Sequence, residues 1–302
     1  MLKRFNRKKQ KIDLIIEQNI IVVLKEIDGR KNMALTLMYI TNNPDVANIA
    51  QKCGVDRIWI DLETLGKEER QGHIDSVKSH HTIEDIRAIR PIIKNSELLV
   101  RINPINPNSK LEIDEVVEAG ADIIMLPMWK SIEDVRLFVR YVNGRAKTML
   151  LLETREAAEC IDDVLQTGGF DEIHIGLNDL HLSYGLDFMF ELLANGTVEK
   201  LCRKIEKYGI PYGFGGIARL NKGLLPSENV IMEHYRLNST RAILSRSFCD
   251  ANSNPDCEEL FEFEMKRLRD YERYMDRATE EDFEYNRKKV IEIVNGIVKN
   301  KK

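Results

Sequence analysis

Glu153 and Asp179 occupy matching places in the chain. Glu153 closes the apolar run Met149-Leu-Leu-Leu152, and Asp179 follows the next run, Glu172-Ile-His-Ile-Gly176. Each run has the length and composition of a buried strand. A helical segment, about residues 155–167, separates them. In a strand–helix–strand unit the two strands are parallel and usually neighbours. Both carboxylates then project from the carboxyl-end edge of one sheet, where such folds place their chemistry. Two hard oxygen ligands on one rim suit Mg²⁺ or Mn²⁺.

Other residues share that rim. Arg101 ends the run Leu98-Leu-Val-Arg-Ile102, and its planar fork suits a substrate carboxylate or phosphate. The competing reading is an ion pair with Asp61 or Glu63. Those two acids close Trp59-Ile-Asp-Leu-Glu63 and share one face of an alternating strand. They are placed to order metal-bound water, to hold Arg101, or simply to face solvent. His80 and His81 stand just before a helix start, as a base active near neutral pH or as a surface loop or cap. His174, inside an apolar strand, reads as core packing, and His73 and His181 are weaker candidates. Gly213-Phe-Gly-Gly-Ile-Ala-Arg219 follows the seventh strand. Its Gly215 and Gly216 let backbone N–H groups approach a substrate anion, with Arg219 or Lys222 adding charge, unless the glycines serve tight strand packing. Pro127-Met-Trp-Lys130 supplies an apolar wall.

The elements that must position these residues alternate from residue 34 to about 248. Eight short apolar runs, beginning at Ala34, Arg57, Leu98, Asp122, Thr148, Glu172, Ile210 and Ala242, are separated by longer amphipathic stretches. This alternation implies a parallel sheet with helical crossovers. Eight units favour an α/β protein of the (β/α)8 barrel type over an open doubly wound sheet, which lacks its usual GxGxxG here. Asn43-Pro44 and Ser131-Ile-Glu-Asp134 are helix starts. After Asn252-Ser-Asn-Pro255 two charged helices are expected, roughly 256–277 and 280–299. In the first, Phe261, Met265, Leu268, Tyr271 and Met275 form one apolar face, to cover either the barrel's own flank or a second subunit. The division is a basic N-terminal extension (1–30), a barrel (31–250) and a C-terminal helical extension (251–302) that would serve oligomerisation.

Composition excludes several classes. A net charge of −4 and a pI near 6.0 argue against a general nucleic-acid partner. No apolar run approaches about 18 residues, so no membrane span is expected. The basic start is broken by Glu17, Gln18 and Asn19 and makes a poor signal peptide. The five cysteines are scattered and read as reduced thiols of a cytoplasmic protein.

From about Ala34 to Phe248 the chain resembles the metal-dependent class II pyruvate aldolases, the family of 4-hydroxy-2-oxo-acid aldolases and the citrate lyase beta subunit. Asn43–Glu63, Val100-Arg101, Leu126-Pro-Met128, Glu153-Thr-Arg-Glu-Ala157 and Ile175–Gly185 occur in the family's order, and the last is the most specific. The resemblance implies a barrel of the phosphoenolpyruvate/pyruvate-binding type and a homo-oligomer. It implies a divalent metal (Mg²⁺ or Mn²⁺, or Co²⁺) held by Glu153 and Asp179. Arg101 would bind the pyruvate oxygens and stabilise the enolate, and the backbone of Gly176, Leu177 and Asn178 would hold the carboxylate of a small-molecule 2-oxo acid. The implied reaction cleaves a 4-hydroxy-2-oxo acid to pyruvate and an aldehyde through a metal-stabilised enolate. The family carries a histidine directly after the second-strand acid, where this chain has Thr64. A segment, Leu65–His80, stands inserted there, and the pattern resumes at His81-Thr-Ile-Glu-Asp85. His81 is therefore expected to be the displaced base, with His80 in reserve. Citryl- or malyl-thioester cleavage is the enzymatic alternative. A catalytically silent barrel that binds an anion or scaffolds an assembly is the other.

Overall fold

A computed structural model describes residues 34–66, 81–245, 248 and 257–301. The N-terminal extension, His73, His80 and most of the inserted segment lie outside the described residues. The eight apolar runs become the strands β1 Thr36–Ile40, β2 Arg57–Asp61, β3 Glu97–Arg101, β4 Ile123–Leu126, β5 Lys147–Leu152, β6 Glu172–Ile175, β7 Tyr212–Ile217 and β8 Arg241–Leu244. They pair in parallel in sequence order and close, β8 returning to β1. The protein is a (β/α)8 barrel with added C-terminal helices, and the open sheet is excluded.

The crossovers carry α1 Pro44–Lys52, α2 Ile83–Ile89, α3 Ser109–Glu118, α4 Ile132–Val142, α5 Arg155–Glu159, α6 Ile161–Thr167, α7 Leu177–Ser183, α8 Glu191–Ala194, α9 Thr197–Glu206 and α10 Ser227–Arg236. The two expected helix starts form as read. The Asn43 side chain accepts from the N–H groups of Asp45 and Val46, and Ser131 with Asp134 makes a reciprocal cap. The helix expected over 155–167 is split at Cys160, whose backbone leaves helical geometry.

A second difference concerns the glycines near residue 215. β7 runs on to Ile217, so Gly213, Gly215 and Gly216 lie within the strand, not in a loop after it. The pairing with β8 is irregular between Gly213 and Gly216. A Cβ at Gly213 would stand 2.3 Å from the Arg241 carbonyl oxygen, and one at Gly215 (φ +51°) 2.6 Å from Leu177 Cδ1. Packing thus accounts for glycine at both positions.

Strand alternation sorts the side chains into two sets. One set joins the helices in the large outer core. The other fills the barrel with Met38, Trp59, Leu99, Ile123, Met125, Met149 and Leu151. Below this plug, on the same strand faces, lies an ionic floor of Arg57, Glu172 and Arg241. Above it lie Asp61, Arg101 and Glu153.

The tail forms α11 Cys257–Met275 and α12 Glu280–Lys301. Phe261, Met265, Leu268 and Met275 of α11 are buried, with Phe261 edge-on to Tyr39 at 5.3 Å between ring centroids. Glu272 accepts the Leu35 N–H at 2.8 Å, and Arg269 donates to the Leu35 carbonyl at 2.9 Å. These bonds fasten α11 to the start of β1, at the floor end. Asn286 of α12 donates to Glu233 of α10 at 3.0 Å and accepts from Asn229 at 2.6 Å. Of the two surfaces open to the apolar face of α11, the barrel's own flank is the one covered. Cys53, Cys160 and Cys202 are free thiols. Cys257 is disulfide-bonded, which corrects the reading of five reduced thiols. Among the described residues no helix is long and apolar enough to cross a membrane.

Candidate active site

The carboxyl-end mouth is organised around Arg101. Asp61 and Arg101 end adjacent strands and are register partners, so their side chains stand abreast. Arg101 Nε and Nη2 donate to the two Asp61 oxygens at 2.8 and 2.9 Å. Its Nη1 lies 3.2 Å from Glu63 Oε2. The guanidinium also sits 5.2 Å above the Trp59 ring, on the top of the apolar plug. Burial works against this charge, but Asp61 and then Glu63 outweigh it, and the Arg101 pKa is raised. Of the sequence readings for Asp61 and Glu63, holding Arg101 is the one the structure shows, and the ion pair read as the alternative to substrate binding by Arg101 is formed. A guanidinium has five N–H donors, so this grip still leaves Arg101 hydrogens for a ligand.

Glu153 follows β5 on the inward face and is 3% exposed. Its Oε1 accepts the Met128 N–H at 3.1 Å. A Cβ placed on Gly176 would stand 2.9 Å from both Glu153 Cβ and Oε2. Glycine at 176 is therefore what lets this carboxylate lie across the end of β6. Burial pushes the Glu153 pKa well above the carboxylate range. Arg101 opposes that rise, while Asp179 and Glu63 add to it. Glu153 thus feels all three neighbours, and the structure brings together the Arg101, Glu63, Glu153 and Asp179 singled out in the sequence. Asp179 lies in the first turn of α7, beside Leu177 and Asn178, which open that helix after Gly176.

The histidines divide. His81 Nδ1 accepts the Asp61 N–H at 3.0 Å, so His81 stands beside the second-strand acid despite its distance in sequence. With Nδ1 accepting, the neutral ring carries its proton on Nε2. His174 is fully buried in the barrel and donates from Nε2 to the Gly215 carbonyl at 3.0 Å. Burial depresses its pKa to about 4, which fits the packing role read for it. His181 donates back to the Leu177 carbonyl within α7. Sequence reasoning took Pro127–Lys130 as apolar wall and missed the Met128 amide, because a backbone donor has no residue-type signature.

The donor set suits a hard divalent cation. Mg²⁺ typically takes one or two carboxylates and keeps the rest of its shell for water and substrate. Glu153 and Asp179 supply two such groups. Burial, Asp179 and Glu63 disfavour the charged form of Glu153, and Arg101 offsets them only in part, so a bound cation would relieve a penalty that the protein alone does not. Among the described residues no group of three or more His, Cys, Asp or Glu side chains forms a fuller ligand set.

Comparison with known proteins agrees with this geometry. The sequence profile of the HpcH/HpaI aldolase/citrate lyase family matches residues 35–189, more than half of the chain. Similar folds include an HpcH/HpaI aldolase from Desulfitobacterium hafniense DCB-2, at 19% identity and TM-score 0.55, covering 73% of this chain and 88% of that one. An HpcH/HpaI aldolase/citrate lyase family protein from Burkholderia cenocepacia J2315 matches at 15% identity and TM-score 0.55, covering 81% and 97%. The citrate synthase SbnG matches at 17% identity and TM-score 0.53, covering 70% and 85%. At these identities the structural matches speak for the fold alone. No curated protein sequence matches the chain. Profile, barrel and mouth together identify the chain as a member of the HpcH/HpaI aldolase/citrate lyase family.

Proposed function

We propose that this lyase-family barrel is a divalent-cation-dependent aldolase that cleaves a 4-hydroxy-2-oxo acid to pyruvate and an aldehyde. The observation that carries the reading is the convergence on Glu153 of Arg101, Asp179 and Glu63 at the carboxyl-end mouth. Glu153 and Asp179 would hold Mg²⁺ or Mn²⁺. When bound, the cation supplies a Lewis acid for the substrate's 2-oxo group.

The chain's own residues supply the rest. Arg101 is held by Asp61 and Glu63, so it meets developing negative charge on the substrate oxygen without reorganising. The backbone of Gly176, Leu177 and Asn178 is proposed to receive the substrate carboxylate. Trp59 and the apolar plug close the barrel beneath Arg101, which keeps water from that side. His81 has its proton on Nε2 while Nδ1 takes the Asp61 N–H. In that tautomer it donates a hydrogen bond. Accepting the C4 hydroxyl proton at Nε2 requires the ring to release Asp61 and move its own proton to Nδ1.

Exchange of the pyruvate C3 protons in D₂O, followed by NMR with and without Mn²⁺, tests the proposal without knowledge of the aldehyde. Exchange that needs Mn²⁺ and is lost in Glu153→Ala supports it. Metal-independent exchange, or none, overturns it and moves attention to coenzyme A thioesters.

A further inference from the structure

Met128 adopts a left-handed backbone, with φ of 52°. That region is strained for a non-glycine residue. We propose that this turn is a positioning device that makes Glu153 a one-oxygen ligand. The inference rests on the reading of Glu153 as a cation-holding carboxylate and adds how it is held.

The turn aims the Met128 N–H at Glu153 Oε1, 3.1 Å away. The next residue continues the grip, because the Trp129 carbonyl accepts from Thr154 Oγ1 at 2.8 Å. Two successive residues after β4 therefore hold two successive residues after β5. Thr154 in turn accepts the Ala157 N–H at 3.1 Å, which ties the same grip to the start of α5. Trp129 is buried, so the segment is anchored in the outer core and has little freedom to drift.

The grip decides which carboxylate oxygen is engaged. Oε1 faces the Met128 amide. Oε2 lies on the Gly176 side, 2.9 Å from where a Cβ of residue 176 would stand. The amide takes up one lone pair of Oε1, so Oε2 is the oxygen left with its full acceptor capacity for a cation. Coordination through Oε2 alone keeps the amide bond and leaves the carboxylate plane fixed. A turn that served only to leave β4 would have no bearing on cation affinity.

The test uses the full chain, with Mn²⁺ affinity read from the free-ion EPR signal and thermal unfolding measured without metal. Met128→Gly accepts positive φ freely and retains the wild-type affinity within about twofold. Met128→Val disfavours it, so the amide swings off Oε1 and affinity falls tenfold or more. Equal affinity in the two variants overturns the proposal, as does a tenfold loss in Met128→Gly. A wild-type measurement stands independently of how Met128→Val folds: the infrared carboxylate bands that Mn²⁺ shifts in wild type and leaves unshifted in Glu153→Gln. A unidentate band separation is expected, and a chelate pattern overturns the inference. If Glu153→Gln binds Mn²⁺ as wild type does, the ligand reading of Glu153 itself fails, and that outcome is distinct from an effectless Met128→Val.

Discussion

Replacing Glu172 by Gln removes one negative charge from the barrel floor and little volume. Glu172 is buried and accepts two hydrogen bonds from Arg57, at 2.6 and 2.8 Å, and two from Arg241, at 2.8 and 3.0 Å. Burial alone would raise its pKa, but the two arginines overcome it and hold the carboxyl at about 2, down from the ordinary 4.5. At about 1.4 kcal/mol per unit, that shift corresponds to about 3 kcal/mol. Breaking a buried ion pair at one partner independently suggests ~3–5 kcal/mol. Glu97 still pairs with Arg57 at 2.9 Å, which places the expected loss at the lower end. The pH dependence has a definite sign. A depressed carboxyl pKa gives stability that is full above about pH 4.5 and is lost as pH falls from there through 2. Urea unfolding followed by circular dichroism at pH 7 should show Glu172→Gln less stable by about 3 kcal/mol. The gap should narrow steadily below pH 4.5, and Mn²⁺ affinity should stay unchanged, because the floor lies at the opposite end from the mouth. A gap under about 1 kcal/mol, or one that persists undiminished at pH 3, would refute the buried-pair reasoning.

Glu153→Gln has the opposite effect on stability. It removes a buried carboxyl whose pKa is raised by burial, Asp179 and Glu63, so metal-free melting temperature should rise by a few degrees at pH 7 while Mn²⁺ binding is lost; a lower melting temperature counts against the assigned strain. Gly176→Ala places a methyl 2.9 Å from Glu153 Oε2 and should weaken Mn²⁺ binding tenfold or more, as read by EPR, with unchanged affinity contradicting the close approach. Phe261→Ala empties a fully buried site against Tyr39 and Phe248 and should destabilise the tail by about 3–5 kcal/mol. Proteolysis would report this as early cleavage within α11, and wild-type resistance would refute the docking.

The barrel was legible because its buried parallel strands read as short apolar runs separated by amphipathic stretches. The second strand begins at Arg57 as read. The site's carboxylates and arginine were legible because alternation and strand order place strand-end side chains on one rim. Three features escaped. Arg57, Glu172 and Arg241 each begin a strand, yet only barrel closure brings strands two, six and eight together. The glycines of β7 read as an anion loop because sequence shows the missing Cβ but not the neighbour, here Arg241 and Leu177, that requires it missing. The Met128 amide lies beyond residue-type reasoning altogether.

Pyruvate C3 proton exchange in D₂O, with and without Mn²⁺, on wild type, Glu153→Gln and Asp179→Asn, tests the central claim most directly. The account predicts exchange only in wild type and only with the metal, alongside Mn²⁺ binding that both variants lose. Wild-type exchange that persists without metal, or in either variant, would contradict Glu153 and Asp179 as the cation's seat.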